Sequence, residues 1–427
     1  MLVAIVVFVI ALIIGAPLAI ALGLFGVAHI ATMGDATFFN LCVQRMFGGV
    51  NIISLSCIPF FMLAGELMNG GGVTTRLLDL LRSILGHVKG GLAYCTVVIS
   101  AILAAILGSA QGEASLLCRV LVPELKKDGY PEDFSGALIS AAAVLGPVIP
   151  PSTMFVFYCM LTDVSIKYMF IAGIVPGILL AVAYCIVVAY KAKKMGLNGT
   201  GVKPEFKKIG KAFVKAIPAL CVPLIIIVGI TAGIFTATES GAVACVAALV
   251  AGLVYRELDI KKLPQMLFRA AISTGAIFLI VAFGNIIAWS MAKDGIPGMI
   301  MSALTSLTSN KYLIILIILV LLVLIGCVLD MASATLVFLP VLFPLATSIG
   351  MDGVHFGIVF SIMISIGLIT PPVGQVLFVT SNVGKIDFNK IVKQIWVFVI
   401  AALAVTAAMA YLPDVVLWIP RLLGYGG

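Results

Sequence analysis

Long apolar runs separated by short polar segments dominate the pattern along the chain. A helix that crosses a bilayer needs about 20 consecutive apolar residues, and eight runs approach that length. The pattern therefore predicts membrane-spanning helices. The eight segments are residues 1–14, 16–33, 51–68, 169–190, 216–235, 238–255, 271–292 and 394–412.

Four further apolar segments are interrupted near their centres. Two of them, 132–162 and 353–384, contain a Pro-Pro pair at the interruption. Proline removes a backbone donor and glycine permits unusual backbone angles, so each segment is predicted to be one crossing made of two half-helices. The other two, 91–125 and 311–349, are longer and polar at both ends. They are predicted to be re-entrant hairpins whose tips stop near the middle of the membrane.

The composition agrees with the prediction of membrane-spanning helices. Hydrophobic residues make up 62% of the 427-residue chain, charged residues only 10%, and the mean hydropathy is +1.24. A soluble domain carries about 25% charged residues. We therefore exclude a water-soluble globular protein and predict an all-α polytopic membrane protein.

The positions of the 26 basic residues indicate how the chain is oriented in the membrane. With ten crossings and two hairpins, 20 of them fall on one side, which the positive-inside rule makes cytoplasmic. Arg119 falls inside the first hairpin, and 191–215 forms a basic cytoplasmic linker. The net charge of +8 thus indicates orientation and not a nucleic-acid partner. The opposite side receives Arg45, Lys167, Lys293, Lys311 and Arg421.

An internal repeat relates the two halves of the chain, 1–190 and 216–427. A shift of 221 residues superimposes Gly129 on Gly350, Gly146 on Gly367, and Pro150-Pro151 on Pro371-Pro372. By the charge count the first hairpin opens to the cytoplasm and the second to the outside, so the repeats are inverted. Inverted repeats with broken helices are typical of secondary transporters.

Polar residues at the four interruptions are the candidate chemistry. Half-helix ends offer free amides to an anion, whereas carbonyl, hydroxyl and carboxylate oxygens suit a hard cation such as sodium. A charge inside the membrane costs about 2.5–3.5 kcal/mol, which draws attention to Glu113 and Asp330. The polar residues are Ser109, Gln111, Glu113 and Ser115, then Ser152 and Thr153, then Asp330, Ser333 and Thr335, then Thr370 and Gln375.

The sequence offers little support for an enzyme or for a transition-metal site. Nine cysteines occur singly and three histidines are far apart, which argues against an enzyme with a nucleophile–base pair and against a His/Cys metal site. Arg119 is predicted to pair with Glu113 or Glu124, with substrate contact as the alternative.

Five motifs are distributed along the chain: PFFMLAGELMNGGG (59–72), LGPVIPPS (145–152), FIAGIVPG (170–177), GIFTATESGAVA (233–244) and GLITPPVG (367–374). In this order they resemble the motifs of a known family, the large membrane subunit of tripartite ATP-independent periplasmic (TRAP) transporters. The resemblance covers essentially the whole chain.

The resemblance implies a sodium-driven elevator-type importer in the bacterial inner membrane. In such systems the subunit works with a small four-helix membrane subunit and a soluble periplasmic substrate-binding protein. The hairpins and broken helices are expected to form a transport domain. The other spans and the amphipathic stretches 35–48, 74–86 and 257–270 are expected to form a scaffold.

Site residues follow from the polar interruptions and from the family's loops. The expected substrate contacts are Ser109, Glu113, Ser152, Thr153, Ser333 and Thr335. The expected sodium ligands are Gly108, Ser109, Gly146, Val148, Gly326, Asp330, Gly367, Thr370 and Gly374.

The leading hypothesis is sodium-coupled import of an organic acid: a C4-dicarboxylate, sialic acid or a sugar acid. The alternative in the same class is a stand-alone sodium/dicarboxylate elevator carrier that needs no binding protein. A purely scaffolding subunit is disfavoured, because it would need neither inverted repeats nor paired polar breaks.

Overall fold

A computed structural model describes residues 2–34, 37–196, 205–308 and 310–426. Throughout these ranges the regular elements are helices, which confirms the all-α prediction. Residues 197–204, at the centre of the predicted linker 191–215, lie outside the described residues, as do single positions of both predicted repeats.

Twenty α-helices and two short 3-10 helices, Ile53–Ser56 and Ile260–Lys262, follow one another along the described chain. The α-helices are α1 (Leu2–Ile13), α2 (Leu18–Thr32), α3 (Thr37–Val50), α4 (Cys57–Gly70), α5 (Val73–Leu85), α6 (Gly91–Leu107), α7 (Ala110–Lys127), α8 (Glu132–Ala143), α9 (Thr153–Thr162), α10 (Ile166–Lys194), α11 (Phe206–Thr231), α12 (Ala237–Tyr255), α13 (Leu263–Lys293), α14 (Ile296–Leu307), α15 (Lys311–Val328), α16 (Met331–Ser348), α17 (Gly353–Gly367), α18 (Gln375–Gly384), α19 (Phe388–Tyr411) and α20 (Pro413–Leu422).

Seven of the described helices are long and apolar enough to cross a bilayer: α10, α11, α12, α13 with its preceding turn, α15, α16 and α19. One prediction is wrong in detail. The amphipathic stretch 257–270 and the span 271–292 are not separate, because α13 runs unbroken from Leu263 to Lys293. A proline in its first turn starts the helix, and the sequence has no further proline before its end.

The predicted interruptions occur where the sequence places them. The first hairpin turns between α6 and α7 at Gly108-Ser109, and the second turns between α15 and α16 at Leu329-Asp330. Ser109 and Asp330 occupy the same position, the N-cap of the returning helix. The two Pro-Pro pairs lie in the turns that join α8 to α9 and α17 to α18, and both pairs have cis peptide bonds.

Many of the helix contacts lie within two groups of helices, which also contact each other through α13 with α16 and α5 with α6. In one, α4 packs against α12, α11 against α5 and α12, and α13 against α2, α3 and α4. In the other, α7 packs against α8 and α18, α15 against α17, and α16 against α9. Helices α10 and α19 also belong to this second group, since α19 packs against α8 and α17 and α10 against α6 and α19. From the sequence both helices are expected in the scaffold, whereas their main contacts are with helices of the hairpins and broken segments.

Polar contacts at the two ends of the bundle join residues that the charge count predicts to share a side of the membrane. On the basic side they link Arg82 to Glu124 (2.7 Å) and Asp128 (3.2 Å), Arg76 to Glu257, and Lys191 to Gln394 (2.7 Å). On the other side they link His29 to Asp294 (2.8 Å), Lys311 to the carbonyl of Gly350 (3.3 Å), and Tyr425 to Asp352 (2.9 Å). These contacts are thus consistent with the predicted distribution of the charged residues between the two sides of the membrane.

Candidate functional site

A cavity of about 580 Å³ lies between the two packing groups, where both hairpin tips meet α9. Helices α4 and α13 form one wall, and α7, α9 and the start of α16 form the other. The polar lining residues are Glu66, Asn69, Ser109, Gln111, Ser115, Arg119, Thr153, Arg269, Ser273 and Asp330.

The first hairpin tip is fastened to the start of α9. Gly108 has a left-handed conformation (φ 56°), and its carbonyl accepts a 2.8 Å hydrogen bond from the Thr153 hydroxyl. A Cβ at Gly108 would lie 3.1 Å from the backbone nitrogen of Thr153, so glycine permits this close approach. Ser109 then caps α7 by accepting from the amide of Gly112. The tip therefore presents backbone and hydroxyl oxygens at the cavity wall.

Ser152 fixes the broken helix just behind this tip. Its hydroxyl donates to the carbonyl of Pro147 at 2.6 Å and accepts from the amide of Phe155 at 3.4 Å. The residue is fully buried and caps α9. Its hydroxyl is thus used to hold the turn together.

The second hairpin tip contains oxygen atoms that lack partners. One carboxylate oxygen of Asp330, Oδ2, accepts from the amides of Ala332 (3.0 Å) and Ser333 (3.3 Å). The other, Oδ1, is buried and has no hydrogen-bond partner among the described residues, and the same is true of the Ser333 hydroxyl. A buried polar atom without a partner costs about 1–3 kcal/mol. Such atoms at a cavity are candidate ligands for a cation.

The second hairpin and its broken helix meet through two glycines. A Cβ at Gly326 would lie against the carbonyl of Ile364 and 3.1 Å from the Cα of Gly367. Beyond this contact, the amide of Gly374 donates to the carbonyl of Cys327 at 3.2 Å. The hairpin is therefore held directly on the backbone of the second break.

Replacement of Gly326 by alanine is expected to destabilise the protein. The added methyl group would force α15 away from the end of α17, and overpacking of this kind costs about 1–3 kcal/mol. Thermal unfolding in detergent should show a lower midpoint for Gly326→Ala than for the wild type.

Gly275→Ala is the matched control, because Gly275 lies in the interior of α13 with no described atom within 4 Å of the position that the new methyl group would take. Alanine favours a helix interior by about 1 kcal/mol over glycine, so this variant should be neutral or slightly more stable. Equal midpoints for both variants would contradict the close contact.

Glu113 does not face the cavity. It is fully buried, and its carboxyl group lies within hydrogen-bond distance of the Ser100 hydroxyl, whose oxygen is also 2.6 Å from the carbonyl oxygen of Ala142. Its second oxygen, Oε2, has no partner in the described part of the chain and lies against the backbone of Gly146, where a Cβ would collide with it. Glu113 is thus placed beside the first broken helix, away from the expected substrate position.

Two arginines line the cavity without a carboxylate partner among the described residues. Arg119 comes from α7 and Arg269 from α13, so they belong to opposite walls. The expected pairing of Arg119 with Glu113 or Glu124 is wrong, because Glu124 pairs instead with Arg82 and Lys127. Guanidinium groups bind carboxylates through two parallel hydrogen bonds. The two arginines are therefore candidate groups for binding an organic anion in a cavity that Glu66 and Asp330 also line.

An amide bridge joins the two halves of the chain next to this cavity. Gln111 of the first hairpin donates to the side-chain oxygen of Gln375 at 3.1 Å, and Gln375 in turn donates to the carbonyl of Val328 at 3.4 Å. Through Gln375 this bridge links the first hairpin tip to the end of α15 in the second hairpin.

The structure brings some of the expected site residues together and separates others. Gly108, Ser109, Thr153 and Asp330 line the cavity. Gly326, Gly367 and Gly374 are adjacent to one another at the second break. Outside the cavity lining, and buried, are Glu113, Gly146, Val148, Ser152, Ser333, Thr335 and Thr370. Thr335 donates to the carbonyl of Met331 (2.6 Å) and Thr370 to that of Ile366 (2.7 Å).

Sequence reasoning missed Arg269. It belongs to the basic residues that mark one side of the membrane, and nothing in a residue count distinguishes such an arginine from one in a cavity. Asn69 was also missed, although it belongs to the motif at 59–72. A signal was present there, since polar residues close to the end of an apolar span are candidate cavity residues.

Comparison with known proteins gives a family match over most of the chain. The sequence profile of the family described as "Tripartite ATP-independent periplasmic transporter, DctM component" matches residues 5–415.

Two relatives illustrate the similarity. The 2,3-diketo-L-gulonate TRAP transporter large permease protein of Escherichia coli is 35% identical over 405 residues, which cover 95% of each chain. The sialic acid TRAP transporter large permease protein of Vibrio cholerae is 31% identical over 397 residues, 92% of each chain.

The fold is similar to that of a solved membrane protein. The YdaH transporter of Alcanivorax borkumensis superimposes with a TM-score of 0.63, covering 92% of this chain and 91% of the other, at 14% sequence identity. At this identity the likeness concerns the fold alone.

Proposed function

The chain belongs to the family of TRAP transporter large permease proteins, and from this premise we propose that it imports an organic acid by sodium-coupled secondary active transport. Members of this family are transporter permeases, and the chain is a multi-pass membrane protein. The observation that carries the proposal is the cavity between both hairpin tips, which combines unpaired arginines with a carboxylate oxygen that lacks a partner.

The second hairpin tip is the proposed site of one sodium ion. Asp330 Oδ1 and Ser333 Oγ are buried oxygens without partners in the described part of the chain, and the second break is held on the same hairpin through the Gly326–Gly367 contact and the bond from Gly374 to Cys327. Sodium is a hard cation that binds oxygen ligands of this kind. A cation here would also neutralise the Asp330 charge, which is costly at membrane depth.

The first hairpin offers the corresponding position for a second sodium ion. Glu113 Oε2 has no hydrogen-bond partner among the described residues, and a Cβ at Gly146 would meet both this oxygen and the carbonyl of Ala143. We therefore move Glu113 from the substrate contacts to the ion ligands in this proposal. Gly108, Ser109 and Val148 remain candidate ligands of the same half.

Substrate selection is proposed to rest on charge and on hydrogen bonds in the cavity. Arg119 and Arg269 would bind the carboxylate of an organic acid from opposite walls. Ser109, Gln111 and Thr153 would supply hydrogen bonds to its hydroxyl or keto groups. Diketogulonate and sialic acid, named for the two relatives, both belong to this chemical class.

Movement is proposed to follow the division into two packing groups. The hairpin group, with α10 and α19, would move as the transport domain against a scaffold of α1–α5 and α11–α13, which is the elevator mechanism expected of inverted repeats. The ion pairs from Arg82 on α5 to Glu124 and Asp128 connect the groups at one end of the bundle. Movement of the transport domain would break these pairs.

The conformation described here is proposed to be open to the cytoplasm. The cavity follows α7 from its tip to Arg119, α4 as far as Asn69, and the first half of α13. All three of these helix portions lead to the side that holds most of the basic residues, which we take as cytoplasmic.

The partners are proposed from the family. A small four-helix membrane subunit would complete the complex, and a periplasmic substrate-binding protein would deliver the substrate. Exposed apolar side chains on α1 and α3, such as Val9, Ile10 and Phe47, leave surface for lipid or for the small subunit.

Reconstituted uptake tests the proposal. Vesicles that contain this chain and the small subunit should accumulate an organic acid only when the binding protein and an inward sodium gradient are both present. A panel of a C4-dicarboxylate, sialic acid and a sugar acid would be assayed. Accumulation that continues with potassium or choline in place of sodium would contradict sodium coupling.

The same assay separates the two modes of import. Uptake that needs no binding protein would favour a stand-alone sodium/dicarboxylate carrier. The matched control is vesicles with the binding protein but without this chain, which should show no uptake.

A further inference from the structure

A second cavity, of about 590 Å³, lies at the basic end of the bundle between α5, α11 and α12, apart from the transport cavity. We propose that it binds the phosphate-bearing headgroup of an anionic phospholipid. The lining residues are Arg76, Asp79, Lys208, Lys211, Ala212, Lys215, Val254 and Tyr255.

The charge in this second cavity is positive and partly unpaired. Arg76 pairs with Glu257, and Lys208 pairs with Glu205 at 2.8 Å. Lys211 and Lys215 have no carboxylate within ion-pair distance in the described part of the chain. The neighbouring residues 197–204, which are not described, contain no Asp or Glu. Among the described lining residues Asp79 is the single acidic one, so a bound anion would neutralise the excess positive charge of the cavity.

The floor of the second cavity is held in place before any ligand binds. The guanidinium of Arg76 lies over the ring of Tyr255, 5.0 Å from its centroid. The Tyr255 hydroxyl donates to the carbonyl of Lys215 at 2.8 Å and accepts from the amide of Ala219 at 3.1 Å. The Tyr255 ring and the Glu257 carboxylate thus orient the Arg76 side chain. Little side-chain entropy would therefore be lost when a ligand binds.

The surroundings favour a lipid over a soluble anion. Helix α11 starts with lysines and continues directly into exposed apolar residues, among them Val214 (65% exposed) and Ile217 (41%). On α12, Val254 is exposed and lines the cavity as well. Basic residues beside an apolar helix face are arranged as a lipid requires, with the headgroup on the lysines and the acyl chains along the helices.

Lipid retention measured by native mass spectrometry tests the proposal. The protein would be released from nanodiscs of phosphatidylethanolamine with a fixed fraction of phosphatidylglycerol. An attraction of about 1 kcal/mol between each cavity lysine and the bound headgroup corresponds to about fivefold in affinity, so K211Q/K215Q should lower affinity for the phosphatidylglycerol held in this cavity roughly 25-fold. The charge-preserving K211R/K215R should retain the wild-type affinity, which separates loss of charge from loss of folding.

The control variant is K193Q/K194Q, which removes two exposed lysines at the end of α10, outside the cavity. It should bind phosphatidylglycerol as the wild type does. Equal retention by K211Q/K215Q and this control would overturn the proposal. Displacement of the lipid by millimolar inorganic phosphate would also overturn it, in favour of a soluble phosphate ligand. Sodium-dependent uptake is not needed for either readout, so the result is independent of the proposed function.

Discussion

Asp330→Asn is expected to weaken the sodium-dependent stabilisation of the purified protein strongly. A ligand that binds only the folded state raises its stability in proportion to the logarithm of ligand concentration over Kd. Sodium should therefore raise the unfolding midpoint of the wild type, whereas potassium or choline should not. In the variant the anionic ligand is lost, and we expect the sodium response to fall by at least about tenfold in apparent affinity, or about 1.4 kcal/mol.

Asp330→Asn removes the negative charge of the side chain but keeps an oxygen atom that can cap the helix. Asp330 caps α16 through Oδ2, which accepts from two backbone amides. Asparagine caps helices about as well as aspartate, so the helix start should survive. What changes is Oδ1, the buried oxygen without a partner. The unfolding midpoint without sodium should therefore stay close to that of the wild type.

Asp352→Asn provides the matched control. Asp352 caps α17 by accepting from the amides of Val354 (2.8 Å) and His355 (3.0 Å), and it is not among the cavity residues. The same chemical change at this cap should leave the sodium response intact. A sodium response with the wild-type apparent affinity in Asp330→Asn, or an equal loss in both variants, would refute the assignment of Asp330 as an ion ligand.

The two hairpins differ chemically although they occupy equivalent positions. Ser109 and Asp330 are both N-caps of a returning helix, but only Asp330 carries a charge. In the first half the acidic group is Glu113, one turn further along α7 and directed towards Gly146. If both halves bind sodium, their carboxylates approach the ion from different sides. Mutations at equivalent positions should therefore have unequal effects.

Much of this architecture could be predicted from the sequence because its signals are local. Proline pairs next to glycine interrupt a helix whatever surrounds them, and the breaks after α8 and α17 occur where the pairs lie. The hairpin tips are marked in the same way, by a residue that caps a helix start. The amphipathic stretch 74–86 corresponds to α5 because its apolar spacing has the helical period.

The remaining features depend on packing that has no local signal. The placement of α10 and α19 with the hairpins results from contacts between helices far apart in the chain. The direction of Glu113, away from the cavity and towards Ser100, depends on the rotation of α7 against α6 and α8. Sequence spacing gives the face of a helix but not the neighbour that this face meets.

Loss of both cavity arginines is expected to reduce organic-acid uptake more than any other pair of substitutions in this cavity. Arg119 and Arg269 reach the cavity from opposite walls and have no carboxylate partner in the described structure. A hydrogen bond to a charged group contributes about 1.5–3 kcal/mol, so Arg119→Gln and Arg269→Gln should each weaken substrate affinity roughly 10- to 150-fold. Uptake measured against substrate concentration should show the change mainly as a higher KM.

The lysine variants Arg119→Lys and Arg269→Lys refine this test, since lysine keeps the charge but lacks the planar fork that binds a carboxylate through two hydrogen bonds. They should lie between the glutamine variants and the wild type. Arg256→Gln is the control, because this exposed arginine at the end of α12 lies outside the cavity. Sodium-dependent stabilisation should persist in every arginine variant, which distinguishes substrate binding from ion binding. Wild-type affinity in Arg119→Gln and Arg269→Gln would show that the carboxylate binds elsewhere.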